Sequence, residues 1–72
     1  MVGKLQRRTL ETRRRILEAA SRMIALNGFD DTSVDAIAAA AGVAKATVFA
    51  HFADKTSLLI AVRLAHLDAL LE

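Results

Sequence analysis

The stretch from Ser33 to Phe52 constrains the fold more than any other, because it carries the pattern of two short helices joined by a tight turn. The apolar residues that share one helix face, at the spacing i, i+3, i+4 and i+7, are Val34, Ile37, Ala38 and Ala41. Gly42 follows them and ends the helix, since a left-handed backbone is least costly without a Cβ atom. A second helix is predicted from about Ala44 or Lys45 to Phe52, with Val48 and Phe52 facing the first. This spacing predicts a helix-turn-helix; a helical hairpin in any all-α domain is the alternative that periodicity leaves open.

The outward face of the second helix has the character of a DNA-reading surface. At about 100° per residue, Ala46 and Ala50 point directly away from the first helix. The residues that flank them are Lys45 and Phe49 on one side, and Thr47 and His51 on the other. Such a helix can enter the major groove, with short side chains at its centre and phosphate-reaching groups at its margins.

Composition excludes several other classes of protein. The 72 residues allow one domain, and 54% hydrophobic residues without proline suit a helical one. Without cysteine there is neither a disulfide nor a thiolate metal site. His51 and His66 lack matching carboxylates, and the three glycines form no phosphate loop, so we predict no enzyme, metal or cofactor. No apolar run reaches about 18 residues and no signal peptide is evident, so we expect a cytoplasmic protein without membrane contact.

Positive charge is concentrated at the N-terminus, although the net charge is only +2. The basic residues of the first fifteen positions are Lys4, Arg7, Arg8, Arg13, Arg14 and Arg15. Such a segment can track phosphates or reach the minor groove, and a solvated leader is the alternative. We expect residues 1–11 to be a flexible leader, disordered up to about residue 8 without DNA, and the first helix to begin between Thr9 and Thr12.

Capping signals divide the rest of the chain. Asn27-Gly28 ends the first helix, with Phe29 placed to pack on Ile24 as in a Schellman ending. Thr32 fits an N-cap that forms a capping box with Asp35, and Ser33 is the competing cap. Either hydroxyl would lie at a helix N-terminus, where a phosphate can bind. Asp54 is a natural N-cap for a fourth helix, and Lys55 with the free N–H groups of that end could grip one phosphate.

The fourth helix, from Lys55 to at least Leu70, is apolar nearly all round, which is typical of a buried helix. Its narrow polar strip lies near Thr56, Arg63 and His66. We therefore expect the sequence to be a fragment, or the ordered part, of a longer protein. The rival function is a small helical protein-interaction module that docks through this apolar helix.

One family resemblance covers residues 12–72. The pattern Thr32-Ser33-Val34-x-x-Ile37-Ala38-x-x-Ala41-Gly42-Val43-x-Lys45-x-Thr47-Val48-Phe49-x-His51-Phe52-x-Asp54-Lys55-x-x-Leu58-Leu59 resembles the N-terminal domain of the tetracycline-repressor (TetR) family of bacterial transcription regulators. The resemblance implies an all-α, three-helix homeodomain-like bundle, with the helix-turn-helix at about 33–52 and a fourth helix from about 55. It also implies a homodimer that binds double-stranded operator DNA in the major groove, and a missing domain that binds a small-molecule effector and releases a repressor.

Residue by residue, the resemblance and the periodicity together predict the DNA-contacting set. Its members are Ser33, Lys45, Ala46, Thr47, Phe49, Ala50, His51 and Lys55. Three positions depart from the family pattern. Ala44 replaces a serine-like N-cap, Ala46 stands where glycine is frequent, and Phe49 replaces a tyrosine whose hydroxyl would reach a phosphate.

Overall fold

Four α-helices make up the part of the chain that the structure, a computed structural model, describes: residues 4–71, with side chains for residues 7–65. The helices are α1 (Lys4–Asn27), α2 (Val34–Ala41), α3 (Lys45–His51) and α4 (Lys55–Leu71). Residues 4–71 contain no strand, so the predicted all-α class is confirmed. No single helix among them is long and apolar enough to cross a membrane; α2 and α3 reach that length and hydropathy only as a pair bent by 100°.

One apolar core holds the helices together, and α1 packs against both α2 and α4 while α2 packs against α3. Its buried side chains are Ile16, Ala19, Ala20, Ile37, Ala38, Ala41, Val48, Phe52, Leu58 and Val62. Several of these are alanines, which let neighbouring helices approach closely. Ile16 and Ile37 are fully buried, and each contributes about 1.5–3 kcal/mol relative to an exposed side chain.

Helix α1 begins at Lys4, so the predicted start between Thr9 and Thr12 is wrong, and residues 4–11, predicted to be a flexible leader, are helical. This part of the sequence contains long unbranched side chains and neither glycine nor proline, a composition that favours helix. Arg14 adds helix-spaced ion pairs, 3.8 Å to Glu11 and 2.7 Å to Glu18. Residues 1–3 lie outside the described residues.

Both predicted glycine stops have left-handed backbones, with φ of +84° at Gly28 and +73° at Gly42. Gly42 closes a Schellman motif, in which its N–H donates to the Ala39 carbonyl (3.2 Å) and the Val43 N–H donates to the Ala38 carbonyl (3.0 Å). Gly28 differs from our expectation, because its N–H makes the single bond to the Ile24 carbonyl (2.8 Å) of an αL ending.

The entry to α2 corrects the preferred cap. Ser33, the competing candidate, is the N-cap, and its Oγ accepts from the Ala36 N–H at 3.0 Å. Thr32 is instead a buried anchor, 1% exposed, whose hydroxyl donates to the Gly28 carbonyl (2.7 Å) and the Met23 carbonyl (3.2 Å). A buried hydroxyl requires such partners, and these fix the loop onto the end of α1.

Over residues 55–65, helix α4 is buried along one side only. Leu58 and Val62 lie in the core, whereas Ile60 and Leu64 are 53% and 57% exposed. The predicted apolar excess on this helix is therefore real over residues 58–65. The rest of that prediction, including His66 on the polar strip, falls on side chains outside those the structure describes.

Candidate nucleic-acid interface

The unit formed by α2 and α3 has helix-turn-helix geometry. Its helix axes bend by 100° across the residues Gly42-Val43-Ala44, inside the range of about 90–120° typical of this motif. Val48 and Phe52, predicted to face inward, are 1% and 4% exposed. Ala38 and Ala41 are buried on the opposing helix, and their small side chains allow α2 and α3 to pack closely.

The outward face of α3 is the one that periodicity predicts. Ala46 and Ala50 are exposed, and Phe49 is 43% exposed despite its large apolar ring. Thr47 and His51 are half-buried at the opposite margin of this face. Ala44 is the N-cap of α3 and makes no side-chain cap bond, in agreement with the predicted departure at that position. The centre of the face is therefore small and uncharged.

Lys45 forms an ion pair that sequence reasoning missed. Its Nζ lies 3.3 Å from both carboxylate oxygens of Asp35, on the first turn of α2, and 6.0 Å from the ring centroid of Phe49. Both charged side chains remain largely exposed, at 53% for Lys45 and 71% for Asp35. An exposed pair of this kind contributes about 0.2–1 kcal/mol, so it favours the paired position of the lysine side chain without excluding others.

The start of α4 places a cation beside a capped helix end. Asp54 is the predicted N-cap: its Oδ1 accepts the Ser57 N–H at 2.7 Å. That backbone bond, with further bonds from the Ser57 side chain and the Thr56 backbone, lowers the pKa of the Asp54 carboxyl. The Nζ of Lys55 lies 4.4 Å from the ring centroid of Phe29, an unforeseen cation–π contact. A phosphate at this helix end would pair with the Lys55 ammonium, because the Asp54 carboxylate already accepts from one of the free backbone N–H groups, that of Ser57.

Arginines of α1 divide between the helix-turn-helix and their own helix. The Arg13 guanidinium carbon lies 4.5 Å from the ring centroid of Phe52, the C-cap of α3. The Arg15 Nη2 is close to Gly42, since a Cβ atom built there would lie 3.4 Å from it. Arg14, by contrast, is engaged with Glu11 and Glu18. Arg13 and Arg15, two of the cations counted in the N-terminal segment, therefore lie beside the α2–α3 unit. The charge count of the sequence did not reveal this position.

A separate groove of about 400 Å³ lies between α1 and α4. Its lining residues are Arg14, Leu17, Glu18, Ser21, Arg22, Val62 and Ala65. None of them belongs to α2 or α3, so the groove is distinct from the α3 face. Among the described residues, no group of three or more histidines and carboxylates is placed to hold a metal ion.

The bend, the uncharged outward face and the flanking cations define a helix-turn-helix domain of the DNA-binding class. Residues 16–62, more than half of the chain, match the family model described as bacterial regulatory proteins, tetR family. The chain belongs to the tetR family. Members of this family are DNA-binding transcription regulators and not enzymes.

Individual relatives agree with this assignment. The HTH-type transcriptional regulator AcrR of Shigella flexneri is 40% identical over 58 residues, covering 81% of this chain and 27% of AcrR. The uncharacterized HTH-type transcriptional regulator TtgW of Pseudomonas putida is 39% identical over 62 residues, 86% of this chain and 46% of TtgW. SrpR, an HTH-type transcriptional regulator also of Pseudomonas putida, is 39% identical over 62 residues, 86% of this chain and 29% of SrpR. The chain thus spans less than half the length of each. No solved structure matches it significantly.

Proposed function

We propose that this chain binds double-stranded operator DNA by inserting α3 into the major groove. The observation that carries the proposal is the exposed pair Ala46 and Ala50, which lies along the middle of the outward face of α3, on the side away from the core. A helix fits the major groove, about 12 Å wide, only if its leading side chains do not hold it off the base edges. The opposite face of α3 packs into the core through Val48, together with the C-cap residue Phe52.

The side chains around this centre have two different tasks. Those assigned to phosphates or the margins of the groove are Ser33, Lys45, Thr47, His51 and Lys55. Contacts of this kind fix register and orientation but carry no base information. Ala46 and Ala50 face the bases, where methyl groups can contact thymine methyls. Phe49 adds an exposed apolar ring and offers no hydroxyl to a phosphate. Arg13 and Arg15, which lie beside Phe52 and Gly42, supply part of the electrostatic attraction instead.

At the level of the whole regulator, we propose a cytoplasmic repressor that acts as a homodimer and leaves its operator when a small-molecule effector binds. Each protomer would read one half-site, with the half-sites about 34–36 Å apart along the duplex. The effector and dimerisation functions require a domain that these 72 residues do not include. The relatives support such an arrangement through their greater length, since this chain spans 27% of AcrR and 46% of TtgW.

Two substitutions on α3 separate the two tasks. Thr47→Val removes a hydroxyl from the margin and should weaken binding to all duplexes alike, measured by fluorescence anisotropy at fixed salt. Ala50→Gln places an amide opposite the bases, where a bidentate contact to adenine is worth about 1–3 kcal/mol of discrimination. It should change the sequences recovered when the domain selects from a randomised duplex library.

The matched control is Ala25→Gln, which makes the same change at an exposed alanine on α1. It should leave the selected sequences as they are. The proposed docking is wrong if Thr47→Val leaves the affinity unchanged, or if Ala50→Gln selects the same sequences as the unaltered domain.

A further inference from the structure

The ion pair between Lys45 and Asp35 lies beside the DNA-facing surface of α3, and the fold creates it. Lys45 is the first residue of α3 and Asp35 the second of α2, and the turn at Gly42 brings them together. The Lys45 Nζ lies 3.3 Å from each oxygen of the carboxylate, so both oxygens share one ammonium. With 53% and 71% of the two side chains exposed, water and a phosphate have access to the same ammonium.

The negative charge of Asp35 is favoured independently of the lysine. It belongs to the first turn of α2, two residues after the Ser33 cap, and a carboxylate in the first turn of a helix is favoured by the helix dipole. The Lys45 Nζ also lies 6.0 Å from the Phe49 ring centroid, at the outer limit of a cation–π interaction, so the Asp35 carboxylate is its nearer partner. The charged form of Asp35 is thus favoured by two separate effects, the helix dipole and the ammonium of Lys45.

A DNA phosphate that approaches Lys45 must compete with this carboxylate. Counterion release from the duplex rewards each cation that pairs with a phosphate, and a cation already paired with Asp35 contributes less. The competition is identical for every base sequence, because the phosphates are. Asp35 therefore acts on affinity and on its salt dependence, and leaves the base preference of α3 alone.

We propose that Asp35 is a positioning residue that holds Lys45 away from the DNA backbone and so weakens the binding of this domain to DNA of any sequence. This inference rests on the proposed DNA-binding function of α3. It assigns Asp35 a role in setting affinity that a structural N-terminal-turn residue would not have.

The test is a double-mutant cycle on the 72-residue chain, with Asp35→Asn, Lys45→Met and the two combined. Binding to a fluorescent mixed-sequence duplex is measured by anisotropy between about 50 and 200 mM salt. Asp35→Asn should tighten binding about 1.4- to fivefold at fixed salt, the range that corresponds to an exposed ion pair. It should also steepen the slope of log K against log salt by up to about 0.9, the value for one more neutralised phosphate. Asp35→Glu, which keeps the charge, should restore the original slope.

Asp30→Asn is the matched control, because it removes the same charge from an exposed residue in the loop before α2. It should change affinity less than Asp35→Asn does. In the Lys45→Met background, Asp35→Asn should have no further effect. An equal gain in that background would show direct repulsion of the DNA by Asp35, and an effect no larger than that of Asp30→Asn would show a general charge effect; either result overturns the inference.

The failure of the inference is distinguishable from that of the proposed function. If Lys45→Met weakens binding and flattens the salt slope while Asp35→Asn changes neither, Lys45 contacts DNA and only the role of Asp35 is wrong. If Lys45→Met leaves both affinity and slope unchanged, the proposed docking of α3 no longer includes Lys45, and the inference falls with it.

Discussion

Thr32→Val tests how firmly the helix-turn-helix is joined to α1. The hydroxyl of this 1% exposed residue donates to the Gly28 carbonyl at 2.7 Å and the Met23 carbonyl at 3.2 Å. Valine has nearly the same shape, so the substitution removes the donor without leaving a cavity. Removal of one partner from a buried hydrogen bond costs about 1–3 kcal/mol. Gly28 is exposed and its carbonyl can regain water, so we expect the lower end, about 1 kcal/mol.

Thermal unfolding followed by far-ultraviolet circular dichroism measures this cost. In a domain of this size, about 1 kcal/mol lowers Tm by roughly 4–8 °C. Thr47→Val is the matched control, since it makes the same chemical change on the half-buried margin of α3, and its Tm should shift by much less. If Thr32→Val melts at the same temperature as the unaltered chain, the hydroxyl contributes no net bond and Thr32 only fills space.

Three further predictions concern the helix ends and the basic segment. Gly42→Ala should reduce the free energy of unfolding by about 1–2 kcal/mol, because the φ of +73° at this position is left-handed. The urea midpoint should fall accordingly, and an unchanged midpoint would contradict this prediction. The lowered pKa of Asp54 means that its carboxylate stabilises the fold above the unfolded pKa of about 3.9 and that this contribution disappears as pH falls through the folded value. Asp54→Asn should therefore make Tm less sensitive to acid below about pH 4. If Tm of the variant depends on pH as Tm of the unaltered chain does, the Asp54 carboxylate does not stabilise the helix end. Deletion of residues 1–8 should reduce the salt slope of DNA binding by roughly 0.9 for each phosphate that the deleted cations neutralise, and an unchanged slope would make them a solvated extension.

The local architecture of the helix-turn-helix could be predicted from the sequence because its determinants lie within one or two helical turns of each other. Gly42 ends α2 through its own backbone, with φ of +73°. The period of α3 separates the buried Val48 and Phe52 from the exposed Ala46 and Ala50 without reference to any distant residue. The Asp54 cap acts on a donor three residues away. The predicted contact face of α3 was therefore correct in its exposure pattern, and its contacts with DNA remain predictions.

Tertiary structure decided the features that depend on residues distant in sequence. Thr32 fits a cap pattern in the sequence. In the structure its hydroxyl is buried against the end of α1 and donates to the Gly28 carbonyl, so Ser33 is the N-cap of α2 instead. A concentration of arginines indicated a flexible leader, yet the same residues continue α1 back to Lys4. The ion pair of Lys45 with Asp35 and the cation–π contacts of Lys55 with Phe29 and of Arg13 with Phe52 are made possible by the packing of the helices. Long charged side chains have many rotamers of similar energy, so only neighbours supplied by the fold determine where their charges lie.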